Sequence, residues 1–194
     1  MDRRHSLRFL LLEGFMVLFG VLAALLVDQW RENHQIQREI AAATLSLDRE
    51  VEHNLREIAE LDSVVDFRLG RLGTLDPSAD PGSSLADLRG AFTGFRSPSL
   101  AQAAWTRIST GQLGDHMPAD LMTAAFELYS WNAHLVSLDD EIQRLVDSET
   151  FHDPARTSLA IAISKEIMQQ QIAWCEQAIP HFEAFLETYG GPQP

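Results

Sequence analysis

Between Val21 and Arg68 the chain contains neither glycine nor proline. These are the residues that most readily end a helix, so their absence over such a length points to one long helix. Apolar residues recur inside it at Ile36, Ile40, Ala43, Leu47, Val51, Leu55, Ile58, Leu61, Val65, Leu69 and Leu72. Ten intervals cover 36 residues there, the period of about 3.6 expected of an amphipathic helix. The pattern merges upstream with a wholly apolar run, so a single rod from about residue 7 to residue 72 is expected.

The upstream run is FLLLEGFMVLFGVLAALLV, Phe9–Val27. Its 19 residues, at about 1.5 Å each, extend close to 30 Å, the thickness of a hydrocarbon core. It follows MDRRHSLR, which has the form of a signal-sequence n-region. No small-x-small processing site follows, because Ala23 and Ala24 lead into Leu-Leu-Val-Asp. The segment therefore reads as an uncleaved signal anchor. Arg3, Arg4 and Arg8 form a positive flank on the N-terminal side, against Arg31 and Arg38 just past the other end. By the positive-inside rule the N-terminus is cytoplasmic and residues 28–194 lie outside, in the periplasm of a bacterial inner membrane. Trp30 sits where an interfacial aromatic anchors the exit.

One carboxylate interrupts the run. A charge near lipid costs roughly 2.5 kcal/mol or more, so Glu13 needs headgroups or a partner. At 100° per residue Glu13, Gly20, Ala24 and Asp28 fall within about 80° of one another. Gly20-xxx-Ala24 is a small-xxx-small pair of the kind that lets membrane helices approach closely. These four residues form the expected helix-packing stripe.

Of the chain's 15 basic and 28 acidic residues, three Arg and two acids lie in the first 27 residues. The remainder carries 12 and 26, a net charge of −14. Such a surface repels nucleic acid and anionic lipid headgroups alike. Cys175 is the sole cysteine, which excludes an intrachain disulfide and any cysteine-based zinc or haem-attachment motif.

Gly70 and Gly73 end the rod, and Thr74–Ser84, with two Asp-Pro steps, is a linker. A short helix over Leu85–Phe95 is expected with Ser84 as its N-cap. Another opens at Ser97-Pro98 and stops at Gly111 in the left-handed conformation. Pro118 starts a strong helix to about Ser148, and Asp153-Pro154 starts the last, which ends at Tyr189 after a kink at Pro180. No strand pattern appears. The fold class is all-α: a membrane helix continuing into a long amphipathic helix, packed with further antiparallel helices into a bundle-like extramembrane domain. The segments are 1–8 (cytoplasmic), 9–29 (transmembrane), 30–73 (long helix), 74–84 (linker) and 85–194 (helical domain).

No arrangement of residues carries recognisable chemistry. The seven histidines include no i, i+4 pair, and Glu50-x-x-His53 is a single turn of the two that a di-iron bundle requires. Arg49, Glu50, Glu52, Arg56, Glu57 and Glu60 read as the exposed face of the rod, and Asp139-Asp140-Glu141 as a solvated helix face. There is no nucleophile elbow, phosphate loop or dinucleotide fingerprint. The span holds no histidine to ligate a haem or pigment. His116-Met117 reads as the staple of a helix start. Trp30, Trp105, Trp131 and Trp174 fall on apolar helix faces and read as core residues. No catalytic residue, metal or cofactor is assigned.

Glu13-Gly14, Gly20-Val21-Leu22, Ala24-Leu25 and Asp28-x-Trp30-x-Glu32-Asn33 resemble the start of a bacterial family of uncharacterised signal-anchored proteins. Ala104-Trp105-x-x-Ile108-Ser109-x-Gly111-x-Leu113, followed by Leu121 and Leu128-Tyr129, is similar to a second block of that family. Ser130 stands where the family has a second tyrosine. The resemblance implies architecture, one membrane helix and a helical extramembrane domain, and no chemistry. The function expected is that of a non-catalytic accessory subunit. Its membrane helix and periplasmic domain would pack onto the other subunits of a larger membrane complex, respiratory or photosynthetic, within the lipid bilayer. The alternative is a self-associating, membrane-anchored coiled-coil scaffold or sensor, a homo-oligomer built on residues 36–72.

Overall fold

The computed structural model describes residues 3–76, 78, 81–93 and 97–191, with side-chain placement from Glu13 onward. Six α-helices run in the order α1 (Arg3–Gly73), α2 (Pro81–Phe92), α3 (Ala103–Thr110), α4 (Ala119–Val146), α5 (Glu149–His152) and α6 (Thr157–Tyr189). Short 3₁₀ turns cover Gln112–His116 and Pro154–Arg156, and the described residues include no strand. The chain divides into two compact units, residues 1–43 and residues 44–194.

The first unit is the N-terminal part of α1. That helix is continuous over 71 residues; it holds no proline, and it runs on through Gly70, expected to end it, to stop at Gly73. From Glu13 to Gln35 only Ala23 is even partly covered, and Phe15, Met16, Leu18 and Leu26 are each more than half exposed. The helix is long and apolar enough to cross a membrane.

The second unit carries the core. Leu47, Val51, Asn54, Ile58, Leu61, Val65, Arg68 and Leu72 form its buried stripe on α1. Helix α4 packs along α6, joining Leu121, Ala125, Leu128, Leu135 and Ile142 to Ala160, Met168, Cys175, Ala178, Phe182 and Phe185. The two run antiparallel. Tyr189 near the end of α6 meets Asp120 at the start of α4, at 3.4 Å, and Trp131 meets Trp174 with ring centroids 4.7 Å apart.

Helix α4 runs in the same direction as α1, because Glu50 pairs with Tyr129 and Arg68 interacts with Asp139 further along both. This corrects the expectation of uniformly antiparallel long helices. Residues 97–104 lead back along α1 and place the start of α4 beside the earlier part of the helix.

Several local expectations are also corrected. Helix α2 begins four residues early, at Pro81, and ends at Phe92. Ser84 therefore lies in its first turn, and its hydroxyl donates to the carbonyl of Asp76 (3.1 Å) rather than capping the helix. Phe95, Pro77 and Asp80, expected in the helix and linker, lie outside the described residues. Residues 97–102 form no helix, and α1 side chains take up backbone groups of Ser99 and Ala101.

Gly111 has φ −99° and ψ 166°, extended rather than left-handed. Glycine is required there for a different reason: a Cβ would lie 2.7 Å from the carbonyl oxygen of Arg107. An extra short helix, α5, separates α4 from α6. Asp153 Oδ1 then accepts from the Ala155 amide at 2.9 Å, an N-cap to the 3₁₀ turn rather than to α6 itself.

Candidate functional site

Two sets of residues merit description, one in each unit. In the first unit Glu13, Gly20, Ala24 and Asp28 all lie on α1 and all are exposed. A Cβ built on Gly20 would meet nothing within 4 Å. Glycine at this position therefore serves no close approach within the chain. Phe15 and Phe19 stack at 6.4 Å, one turn apart. Trp30 is 64 % exposed and holds the ring of His34 edge-on at 4.7 Å. Arg38 donates from Nε to the carbonyl of His34 (3.3 Å). The side chains of Arg3, Arg4 and Arg8 lie outside the described residues.

In the second unit, α1 presents Glu50, His53, Asn54 and Glu57 at i, i+3, i+4 and i+7, hence on one face. All four bind the backbone of residues 99–105. The Glu50 carboxylate accepts from the amides of Ala104 (2.7 Å) and Trp105 (3.1 Å) and from the hydroxyl of Tyr129. Ala104 and Trp105 are the second and third residues of α3, whose own N-cap, Gln102, makes no side-chain capping bond. Glu50 thus caps α3 from another helix, where the dipole also favours negative charge.

Asn54, fully buried, closes a two-bond ring with Ala101. Its Nδ2 donates to the carbonyl (2.8 Å) and its Oδ1 accepts from the amide (2.7 Å). His53 Nε2 lies 2.8 Å from the Ser99 carbonyl, a bond that requires the proton on that nitrogen. Glu57 accepts from the Ser99 amide at 2.9 Å. A segment outside helix and sheet must find such groups, and α1 supplies them.

Electrostatics fit a structural role for this face. Burial, with help from the adjacent Glu50 carboxylate, pushes the Tyr129 phenol far above its ordinary value, so it remains a donor. The Trp105 ring stacks on Tyr129 at 5.2 Å and 9°. Glu50 is 8 % exposed, which corrects its placement on the solvated face. The Glu-x-x-His turn is engaged with backbone groups, Glu50 with two amides and His53 with a carbonyl.

Asp139 is likewise buried, correcting the reading of its acidic cluster as wholly solvated, and it faces Arg68. Burial raises its carboxyl, while a hydrogen bond from Ser97 and the Arg68 charge oppose that rise. Burial also lowers the Arg68 guanidinium below its ordinary value. Burial, with Asp62 and Glu176 nearby, pushes the Cys175 thiol up to about 12, which marks it as an unreactive core group.

Buried side-chain atoms without a hydrogen-bond partner include both ends of the Asn132 and Gln171 amides and one oxygen of Asp62. Trp131 and Trp174 are half-buried, and His181 and His134 stack on their outer faces at 5.3 and 4.5 Å. No group of three or more metal-ligating side chains occurs among the described residues. Compared with known protein families, curated proteins and solved structures, the chain matches none.

Proposed function

We propose that this chain is a non-catalytic, single-pass membrane protein, an accessory subunit. Its membrane helix and helical domain pack onto a larger membrane complex, respiratory or photosynthetic. One observation carries the reading: residues 13–27 form a bare helix, apolar but for Glu13, with Phe15, Met16, Val17, Leu18 and Phe19 all more than half exposed. At roughly 25 cal/mol per Å², leaving such a face in water is untenable, and lipid is the natural cover. The stripe of Glu13, Gly20, Ala24 and Asp28 is then the side that meets another helix. Glu13 would accept a hydrogen bond there instead of sitting alone in hydrocarbon.

The second unit supports the same reading. Its α1 stripe, Leu47, Val51, Asn54, Ile58, Leu61, Val65, Arg68 and Leu72, advances by alternating steps of four and three. That is the spacing of a helix packed at a shallow angle in a bundle. These positions are already buried by the chain's own helices, which removes them from the coiled-coil seam that a self-associating scaffold would use. We read the domain as an all-helical bundle, periplasmic by the arginine bias of the anchor, and the likeness to the signal-anchored bacterial family as one of architecture.

Purification of the full chain in mild detergent, followed by mass spectrometry of co-purifying proteins, tests the proposal. Other membrane subunits should be recovered in fixed ratio. Recovery as a free monomer, or as a homodimer crosslinked through residues 36–72, would refute it.

A further inference from the structure

The helix just past the apolar run is sorted by charge around its circumference. Taking Trp30 as the origin at 100° per residue, His34, Arg38 and Arg31 follow within an arc of about 100°. Asp28, Glu32 and Glu39 occupy a separate arc of about 40° beyond it. All seven side chains are exposed. Trp30, Arg31, His34 and Arg38 together line a shallow recess on the helix surface. The bond from Arg38 to the His34 carbonyl uses one of the guanidinium's five N–H donors and holds the group against the helix.

We infer that this recess is a binding surface for the phosphate groups of anionic phospholipids at the exit side of the bilayer. The inference rests on the membrane reading of residues 9–29. Three considerations favour it. The first is depth: Arg31 lies about 3 Å and Arg38 about 14 Å along the axis beyond Gln29. Both side chains lean back toward the N-terminus, which brings their charges into a headgroup layer some 5–7 Å thick or within a Debye length of it.

The second is charge. The chain beyond residue 27 carries a net −14, yet the arc that opens at Trp30 is free of acids. A solvated surface drawn at random from that composition would be acidic. The third is chemistry. On the same origin Gly20, Glu13 and Ala24 fall at about 80°, 100° and 120°, in line with Arg38 and Arg31, so the two arginines carry that face from the hydrocarbon into the headgroup layer. Trp30 has the amphipathic ring that settles at headgroup level, and arginine matches the phosphodiester with paired donors.

The test uses the full chain reconstituted in phosphatidylcholine vesicles. Electron paramagnetic resonance compares how spin-labelled phosphatidylglycerol and spin-labelled phosphatidylcholine associate with the protein. At low salt, phosphatidylglycerol should be preferred roughly thirtyfold, about 1 kcal/mol of attraction for each of the two arginines. The Arg31→Gln/Arg38→Gln variant should lose at least about threefold of that preference, and salt at about 1 M should abolish most of it. Equal preference in the parent and the variant overturns the inference. So does a preference removed only by Arg3→Gln/Arg4→Gln/Arg8→Gln at the opposite end. Extraction of the parent protein from the vesicles by alkaline carbonate would overturn the membrane reading and this surface together, whereas a retained protein without preference refutes the surface alone.

Discussion

Replacing Glu50 with alanine offers the sharpest test of how the second unit is held together. The Glu50 carboxylate receives the amides of Ala104 and Trp105 and the hydroxyl of Tyr129, all in a setting where Glu50 itself is 8 % exposed. Truncation removes the acceptor and leaves three donors behind. A buried donor without a partner costs about 1–3 kcal/mol. Tyr129 can rotate and recover part of its bond, so the sum should lie near 3–5 kcal/mol. For a unit of this size each kcal/mol corresponds to about 2–4 °C, which gives a fall in Tm of about 6–20 °C.

Two companion variants separate this cause from a general loss of charge. Glu57→Ala removes an acceptor of the Ser99 amide at an exposed contact that water can replace, and should cost less than about 1 kcal/mol. Tyr129→Phe deletes one donor and leaves the two amides capped. The Glu50→Ala/Tyr129→Phe double variant should therefore be less destabilised than the sum of the singles by about 1 kcal/mol or more. Thermal unfolding of the full chain in detergent, followed by near-ultraviolet circular dichroism of the tryptophans, reads all four proteins. A Glu50→Ala loss below about 1 kcal/mol, or strict additivity with Tyr129→Phe, would refute the cross-helix cap.

Three further outcomes follow from buried groups. Burial, reinforced by Glu176 and Asp66, raises the Asp62 carboxyl above its ordinary 3.8, so the folded state holds that proton more tightly than the unfolded chain does. Its contribution to stability is therefore favourable below pH 3.8 and is lost as pH rises through the folded value, and Asp62→Asn should raise Tm at neutral pH but not in acid. Gln171 is fully buried with neither end of its amide partnered, so Gln171→Met, similar in volume, should stabilise the protein by about 1 kcal/mol in urea titration; a loss of stability would show that the amide is satisfied in solution. With its thiol pushed up to about 12, Cys175 should react with iodoacetamide at pH about 8 at least about a hundredfold more slowly in the native protein than in urea.

The long elements were legible because their evidence is periodic and redundant. No glycine or proline interrupts α1 from Val21 to Arg68, and α4 and α6 repeat apolar residues over 28 and 33 positions. The connection between them was not legible. Residues 97–102 stay out of helix while Asn54, His53 and Glu57 hold the backbone of Ser99 and Ala101, and no propensity in the segment itself announces a partner some forty residues away in sequence.

The polar seam escaped for a related reason. An apolar reading of α1 passes through Leu55 and Leu69, whereas the buried stripe passes through their neighbours Asn54 and Arg68. The alternating step from Val51 to Ile58 and from Val65 to Leu72 lands on these two polar residues. A register kept strictly from Leu47 onward would have found both. Asp139 carries a similar signal, lying beside Leu138 and four residues after Leu135, where the buried face of α4 turns over.

The two carboxylates Glu50 and Glu13 separate the two units by how each meets its charges. Each interrupts an otherwise favourable helix surface at a position where a charge is costly. In the second unit the interruption is answered inside the chain: three donors converge on Glu50, and a helix start depends on it. Along the described residues of the apolar run no such answer is built in. Glu13 and Asp28 are exposed, and a Cβ would fit at both Gly14 and Gly20 without touching anything. A glycine that relieves no crowding within its own chain keeps its backbone open to a neighbour. Gly20→Leu should therefore leave the thermal transition of the second unit within about 0.5 kcal/mol of the parent, because a substitution remote from its core has no mechanism to disturb it. The same variant should strip the co-purifying subunits from the detergent complex. If they remain bound at the parent ratio, the stripe is not the contact and Gly20 is an ordinary residue of a lipid-facing helix.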